Sequence, residues 1–248
     1  MSIQLKQLDV LHGKKVLLHH INLTIPKAQC VVIIGESGAG KTMLLRALMG
    51  NLPASTSFSG QLLYDNKEQS LSGNTLAKSK ITYMVQNPMS MFNPFQKIES
   101  HFIEMVQSHE HLSKKEVLQL AKENLAQVSL EEQVLQYYPF ELSGGMLQRI
   151  MFAMSLSLNA QVYILDEPTS ALDYYTSQFI VHMIQTLKSE GKTVILTTHD
   201  YTFAKQVGNT MLVMKKGKHI AHDTVDNILS SKDTYIQSLT QNPYQRLV

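Results

Sequence analysis

Val31-Val32-Ile33-Ile34-Gly35-Glu36-Ser37-Gly38-Ala39-Gly40-Lys41-Thr42 decides the fold. Val31 to Ile34 is a short β-branched apolar run ending in glycine, which predicts a buried strand. Gly35 to Thr42 fits the eight-residue phosphate-loop pattern without a mismatch. Its glycines permit a tight turn whose N–H groups point inward at phosphate oxygens. A helix is predicted over Thr42 to Met49, so the positive end of its dipole faces the same phosphates. Gly35, Glu36, Ser37, Gly38, Ala39, Gly40, Lys41 and Thr42 are therefore candidate nucleotide-binding residues. Lys41 reaches the β- and γ-phosphates, and the Thr42 hydroxyl is a candidate Mg²⁺ ligand.

Working outward, Ile3 to Val10 and Val16 to Ile25 read as strands broken by His12-Gly13-Lys14, and Gly60 to Tyr64 and Lys80 to Val85 as further strands. Val162 to Leu165, Thr193 to Thr197 and Met211 to Met214 are three more, the last ending at the turn Lys215-Lys216-Gly217-Lys218. Val117 to Val128 and Phe179 to Lys188 have helical periodicity. Ser55 to Ser59 and Glu68 to Ser79 read as polar loops. The pattern is α/β with a mostly parallel sheet, interrupted by a helical insert from about 88 to 158.

With 248 residues the chain is long enough for a sizeable core. Its 22 Lys+Arg against 20 Asp+Glu leave a net charge of +2, too balanced to argue for nucleic acid or an anionic membrane. The single cysteine, Cys30, rules out an intrachain disulfide framework and reads as a small core residue. The most apolar uncharged stretch, Ile150 to Leu165, is too short and too polar to span a bilayer. The start, MSIQLKQLDV, lacks the basic flank and apolar core of a secretory leader.

Val162-Tyr163-Ile164-Leu165-Asp166-Glu167 is a strand ending in two acids. Asp166 is placed to hold Mg²⁺ through water, and Glu167 to orient and polarise an attacking water. Alone, such a pair usually ends as a solvated turn; the phosphate-loop lysine upstream reverses that reading.

Leu142-Ser143-Gly144-Gly145-Met146-Leu147-Gln148-Arg149 resembles the signature of the ATP-binding cassette (ABC) ATPases. With the phosphate loop, Asp166-Glu167 and His199, it completes that family's set in order, and the resemblance covers nearly the whole chain. The resemblance implies a P-loop NTPase fold: a RecA-like core, N-terminal antiparallel strands and a helical subdomain over about 88 to 158, all within one ATPase domain of residues 1–248. It also implies head-to-tail dimers in which Ser143, Gly144 and Gly145 contact the γ-phosphate held by the partner's lysine. By the same resemblance Gln86 is the glutamine that touches Mg²⁺ or water and couples to the transport subunit. Pro168 and Ser170-Ala171-Leu172-Asp173 match the loop that crosses the dimer interface, and His199 matches the histidine that contacts the γ-phosphate. The family generally places an aromatic ring beneath adenine; here His12 stands at that position, with less ring area to stack.

A narrower resemblance lies in Tyr83-Met84-Val85-Gln86-Asn87-Pro88-Met89-Ser90-Met91-Phe92-Asn93-Pro94 and in Tyr138-Pro139-Phe140-Glu141. These strings are similar to cassettes of oligopeptide, dipeptide and nickel importers. The implied protein hydrolyses ATP with Mg²⁺ at the cytoplasmic face of the membrane, as a peripheral subunit. Its implied partners are transmembrane permease subunits, a second ABC ATPase (a heterodimer, or a homodimer) and an extracellular solute-binding protein. Many members of that group are longer, and Asp233 to Leu239 is similar to the start of their C-terminal tail. Pro88 and Pro94 predict a shaped loop that exposes Met89, Met91 and Phe92 to a permease helix, the alternative being that these side chains fold back into the helical insert; Met151 and Met154 fill core. A cassette acting on nucleic acid or the ribosome usually has two cassettes or a long coiled insertion, so no nucleic-acid partner is expected. Lys41, Ser143, Asp166, Glu167 and His199 together oppose a degenerate, non-catalytic cassette. Other ABC transporter classes are opposed only by the short strings around Gln86 and the signature. His109 and His111 read as surface residues.

Overall fold

The computed structural model describes residues 1–74, 80–169 and 174–240. A four-stranded antiparallel sheet is built from β1 (Ile3–His12), β2 (Lys15–Ile25), β4 (Ser57–Tyr64) and β5 (Lys67–Gln69), in the order β2-β1-β4-β5. A six-stranded sheet contains β3 (Cys30–Ile34), β6 (Ile81–Met84), β7 (Val162–Asp166), β8 (Thr193–Thr197), β9 (Thr210–Lys215) and β10 (Lys218–Thr224). Its order is β10-β9-β3-β8-β7-β6, parallel except for β10.

The central strands are apolar throughout because both of their faces are buried. Alternate side chains leave opposite faces of a strand. On β3, Cys30, Val32 and Ile34 enter one core, and Val31 and Ile33 the other. The same split divides Tyr163 and Leu165 from Val162 and Ile164 on β7. One core lies between the two sheets and receives α1 (Lys41–Leu48) through Leu44, Leu45, Ala47 and Leu48. The other is covered by α2 (Ile98–Gln107), α3 (Lys114–Gln127), α4 (Gly144–Ser157) and α5 (Tyr174–Ser189). α3 starts on a capping box in which Ser113 and Glu116 satisfy each other's main-chain N–H groups. The chain closes with α6 (Tyr201–Val207), α7 (Val225–Leu229) and α8 (Thr234–Thr240).

Several expectations are corrected. Met211 to Met214 is not the last strand: after the Lys216-Gly217 turn, β10 returns along β9 with Lys218 opposite Lys215. It is an exposed edge strand with polar residues at most positions, so it lacks the apolar run that marks the others. Ser57 to Ser59 is strand, because Phe58 and Ser59 pair with Val10 and Asp9 of β1. Gly60 makes that close approach possible: with φ +106, a Cβ there would stand 2.6 Å from the Gln7 carbonyl oxygen. Glu68 and Gln69, read as loop, pair with Leu63 and Leu62. Between Gln86 and Phe95 the chain forms one 3₁₀ turn, Pro88–Ser90, with the Asn87 side chain accepting the Met89 N–H. Phe92 is not exposed there. It is 5% exposed, packs edge-on against the His101 ring, and belongs to the core; Met91 is partly buried against the same core. Met89 is exposed as expected, and Phe95 even more so. Cys30, Met151 and Met154 are buried, and His109 and His111 are exposed.

Candidate functional site

β3, β6, β7 and β8 run parallel, so their carboxyl ends share one edge of the sheet. That is where open parallel sheets bind ligands. The phosphate loop follows β3, Gln86 follows β6, Asp166-Glu167 end β7, and His199 follows β8. Register alone brings Asp166 opposite Thr197 and Ile33 opposite Thr197 on the other side.

The loop is shaped by its glycines. Gly40 caps α1 in a left-handed conformation, φ +104. At Gly35 a Cβ would stand 2.4 Å from the Met214 carbonyl oxygen, so only glycine lets β9 pack so closely. The loop also accepts support from the β9–β10 turn, whose Gly217 N–H donates to the Ala39 carbonyl at 2.9 Å. Lys41 Nζ donates to the Gly35 and Glu36 carbonyls at 2.6 and 3.2 Å. Burial pulls the Lys41 ammonium below the ordinary lysine value, and the nearby Glu167 and Asp166 carboxylates oppose that shift.

Asp166 is held by two hydroxyls: Thr197 Oγ1 donates to Oδ1 at 2.5 Å and Tyr83 Oη to Oδ2 at 3.0 Å. Burial and the Asp166 charge both raise the Tyr83 hydroxyl above the ordinary tyrosine value, so it stays a donor. Glu167 adopts a left-handed backbone, φ +51, uncommon for a side chain other than glycine. Its N–H is fixed by Thr197 Oγ1 at 3.0 Å and by the Thr197 carbonyl at 3.2 Å. The turn sends its carboxylate to His199, whose Nε2 lies 3.0 Å from Oε1; the Glu167 side chain is 12% exposed and that of His199 47%. A carboxylate so sheltered and oriented by a histidine is a candidate to take a proton from a water.

The remaining expected residues divide. Gln86 is exposed at the end of β6, on the edge that carries Asp166. His12 is exposed at the tip of the β1–β2 hairpin, paired with Lys15. Ser143 caps α4 by accepting the Met146 N–H at 3.3 Å, and Gly144 and Gly145 form the first turn. Among the described residues, the hydrogen bonds and ion pairs of Lys41, Asp166, Glu167 and His199 do not include Ser143, Gly144 or Gly145. Ser170 to Asp173 lie outside the described residues, but the Pro168 carbonyl accepts a hydrogen bond from buried Gln148 Nε2 at 3.1 Å, tying the acidic strand to the signature helix. The residues that sequence reasoning missed are Tyr83, Thr197 and Gln148. Tyr83 and Gln148 lie inside the family-like strings without a role of their own there, and the signal at Thr197 is a hydroxyl closing an apolar run.

A divalent metal fits the donor chemistry. The Thr42 hydroxyl, Gln86 amide oxygen and Asp166 carboxylate are hard oxygen donors with a single charge, a set that suits Mg²⁺ held jointly with phosphate. Among the described residues, no three or more His, Cys, Asp and Glu side chains are grouped to hold a metal by themselves.

Residues 18–170 match the ABC transporter family. The chain is 32% identical over 234 residues to the oligopeptide transport ATP-binding protein OppD of Lactococcus lactis subsp. cremoris, spanning 91% of this chain and 69% of that protein. It is 30% identical over 220 residues to the metal-staphylopine import system ATP-binding protein CntD of Staphylococcus aureus, spanning 86% and 81%. Some relatives are longer: the match spans 41% of the length of one and 64% of another. Among solved structures, the ATP-binding cassette MJ0796, in a dimeric post-hydrolysis state with ADP and Pi, superposes with a TM-score of 0.79 at 26% identity, covering 90% of this chain and 98% of that one. The chain belongs to the ABC transporter family and carries its ATPase domain.

Proposed function

We propose that this chain is the ATPase subunit of an importer that takes up peptides or metal-chelate solutes through a partner permease. The observation that carries the chemistry is the convergence of the Lys41 loop, Asp166 and the Glu167–His199 pair on one sheet edge. The solute classes come from the relatives, one named for oligopeptide transport and another for metal-staphylopine import.

ATP lies with its phosphates in the loop from Gly35 to Thr42, and its adenine against the hairpin that carries His12. Lys41 turns from the loop carbonyls to the β- and γ-phosphates. Thr42, Gln86 and Asp166 are the residues that would hold Mg²⁺, which would neutralise phosphate charge there. A water attacks the γ-phosphorus, the bond to the β,γ-bridging oxygen breaks, and Glu167 takes the water's proton. His199 keeps the Glu167 carboxylate aimed and faces the γ-phosphate. Ser143, Gly144 and Gly145 of a second cassette complete the site, consistent with their place outside the Lys41–His199 group and with the dimeric solved relative.

No helix among the described residues is long and apolar enough to cross a membrane. In this reading the chain attaches to the membrane through the permease, at its cytoplasmic face. A solute-binding protein outside the membrane delivers the solute, and the second cassette is a related ATPase or another copy of this chain. Cells carrying the intact transporter supply the test. Glu167→Gln should stop uptake of a labelled oligopeptide or a labelled metal chelate while the chain still co-purifies with the permease. Uptake of both solute classes at the wild-type rate overturns the reading.

A further inference from the structure

Tyr235, on the short helix α8, reaches the start of the phosphate loop. Its hydroxyl donates to the Met214 carbonyl at 3.0 Å. That carbonyl is the group pressed against Gly35, where a Cβ would stand 2.4 Å away. The Tyr235 oxygen thus holds the carbonyl at the end of β9 against which the first residue of the loop is packed.

Gly35 is held on two sides. The side where a Cβ would stand faces the Met214 carbonyl, and its own carbonyl receives Lys41 Nζ at 2.6 Å. Fixing the first fixes the second. The tyrosine is itself well anchored. Its ring carries Lys215 Nζ 4.0 Å from the centroid, its neighbour Ile236 is buried, and the Asp233 carboxylate accepts the N–H groups of Tyr235 and Ile236 at 2.9 and 3.0 Å.

We propose that Tyr235 is a positioning residue for nucleotide binding: it fixes the Met214 carbonyl against which Gly35 packs, and through Gly35 the resting place of Lys41. The proposal rests on the reading of Gly35 to Thr42 as the nucleotide loop. A freed loop start would have to be ordered anew each time phosphate binds, so the loss appears in affinity and not in the chemical step.

The test is isothermal titration of MgATP into the purified full chain, with steady-state ATPase assays and a melting curve. In Tyr235→Phe the ring, its contact with Lys215 and the anchoring of Ile236 remain, and one hydrogen-bonding oxygen is lost. Affinity for MgATP should fall about threefold to tenfold, the range of a single hydrogen bond. KM should rise by the same factor, kcat should stay within about twofold, and the melting temperature should be unchanged. Asp233→Ala, which loosens the helix but keeps the hydroxyl, should shift affinity in the same direction. A lower melting temperature with unchanged affinity in Tyr235→Phe makes the residue merely structural and overturns the proposal, as does unchanged affinity in both variants. Lys41→Ala separates this failure from that of the underlying reading. If wild type and Lys41→Ala bind MgATP equally, the nucleotide loop is misassigned and the proposal falls with it.

Discussion

Asp166 and Glu167 are neighbours in sequence, yet the backbone gives them different surroundings. Asp166 remains in the strand, tied to two hydroxyls, while the left-handed turn at Glu167 swings the next carboxylate to His199. Thr197 serves both, donating to Asp166 and accepting the Glu167 N–H. Thr197→Val should therefore lower ATPase activity and cost about 1–3 kcal/mol of stability, because a partly buried carboxylate and an amide both lose a partner. Chemical denaturation beside a turnover assay reads both effects. Glu167→Gln keeps the size and removes the base: MgATP binding should persist and kcat should fall roughly 10²- to 10⁴-fold. Turnover near the wild-type rate would take Glu167 out of the chemistry. Gly144→Asp asks a different question. A Cβ at Gly144 meets nothing within 4 Å, so the folded chain tolerates it. The isolated chain should still bind MgATP, and hydrolysis in the site that this residue completes on a partner should collapse. Loss of binding by the monomer would refute the head-to-tail assignment.

At the scale of elements, the legible part of the sequence was the part buried on two sides. β3, β7 and β8 announce themselves as apolar runs because each residue faces one core or the other. β5 and β10 are edge strands, held by main-chain pairing with little side-chain burial, so their composition resembles loop. The candidate positions that the fold gathers at one sheet edge were legible for another physical reason: phosphate and proton chemistry need particular groups at fixed spacing. The bonds of Tyr83 and Thr197 to Asp166 were not, because they join strands far apart in sequence, nor was that of Gln148, which runs from the α4 helix to the Pro168 carbonyl. The segment between Gln86 and Phe95 shows the limit of composition as a guide to exposure. Three apolar residues in a proline-flanked loop read as one surface, but Phe92 folds inward onto His101 while Met89 stays out. These two should now separate in experiment. Phe92→Ala should destabilise the chain by about 3–5 kcal/mol, as an emptied aromatic core position does. Met89→Glu should leave the melting temperature unchanged and, on a surface that receives a permease helix, weaken co-purification with the permease. A Met89→Glu variant that assembles and transports normally would remove this residue from the docking surface.

Across the whole molecule, the two cores that sandwich the six-stranded sheet also bury groups that must stay protonated. Cys30 begins the central strand, and burial pushes its thiol from 9.0 up to about 12. Burial likewise raises the Tyr163 and Tyr201 hydroxyls from 10.0 to about 12, with negative charge nearby adding to it, and raises Tyr64 and Tyr83 further still. Above pH 9 the unfolded chain releases the cysteine proton while the folded chain keeps it; above pH 10 the tyrosines do the same. The folded state then binds more protons than the unfolded state, so stability falls as pH rises. The slope is at most about 1.4 kcal/mol per pH unit for each such group. The thiol leads the decline between pH 9 and 10, where the lowered Lys41 ammonium works against it, and the tyrosines steepen the fall between pH 10 and 12. Urea denaturation at stepped pH checks this. The midpoint should decline from pH 9, and Cys30→Ala should flatten the first part of the decline while leaving the steeper part. Native protein at pH 8 should resist a thiol reagent that modifies the unfolded chain at once. A Cys30→Ala curve parallel to the wild-type curve between pH 9 and 10 would mean that the thiol does not keep its proton. The central strand, which carries the phosphate loop at its other end, would then admit solvent at the place where the structure packs both cores against it.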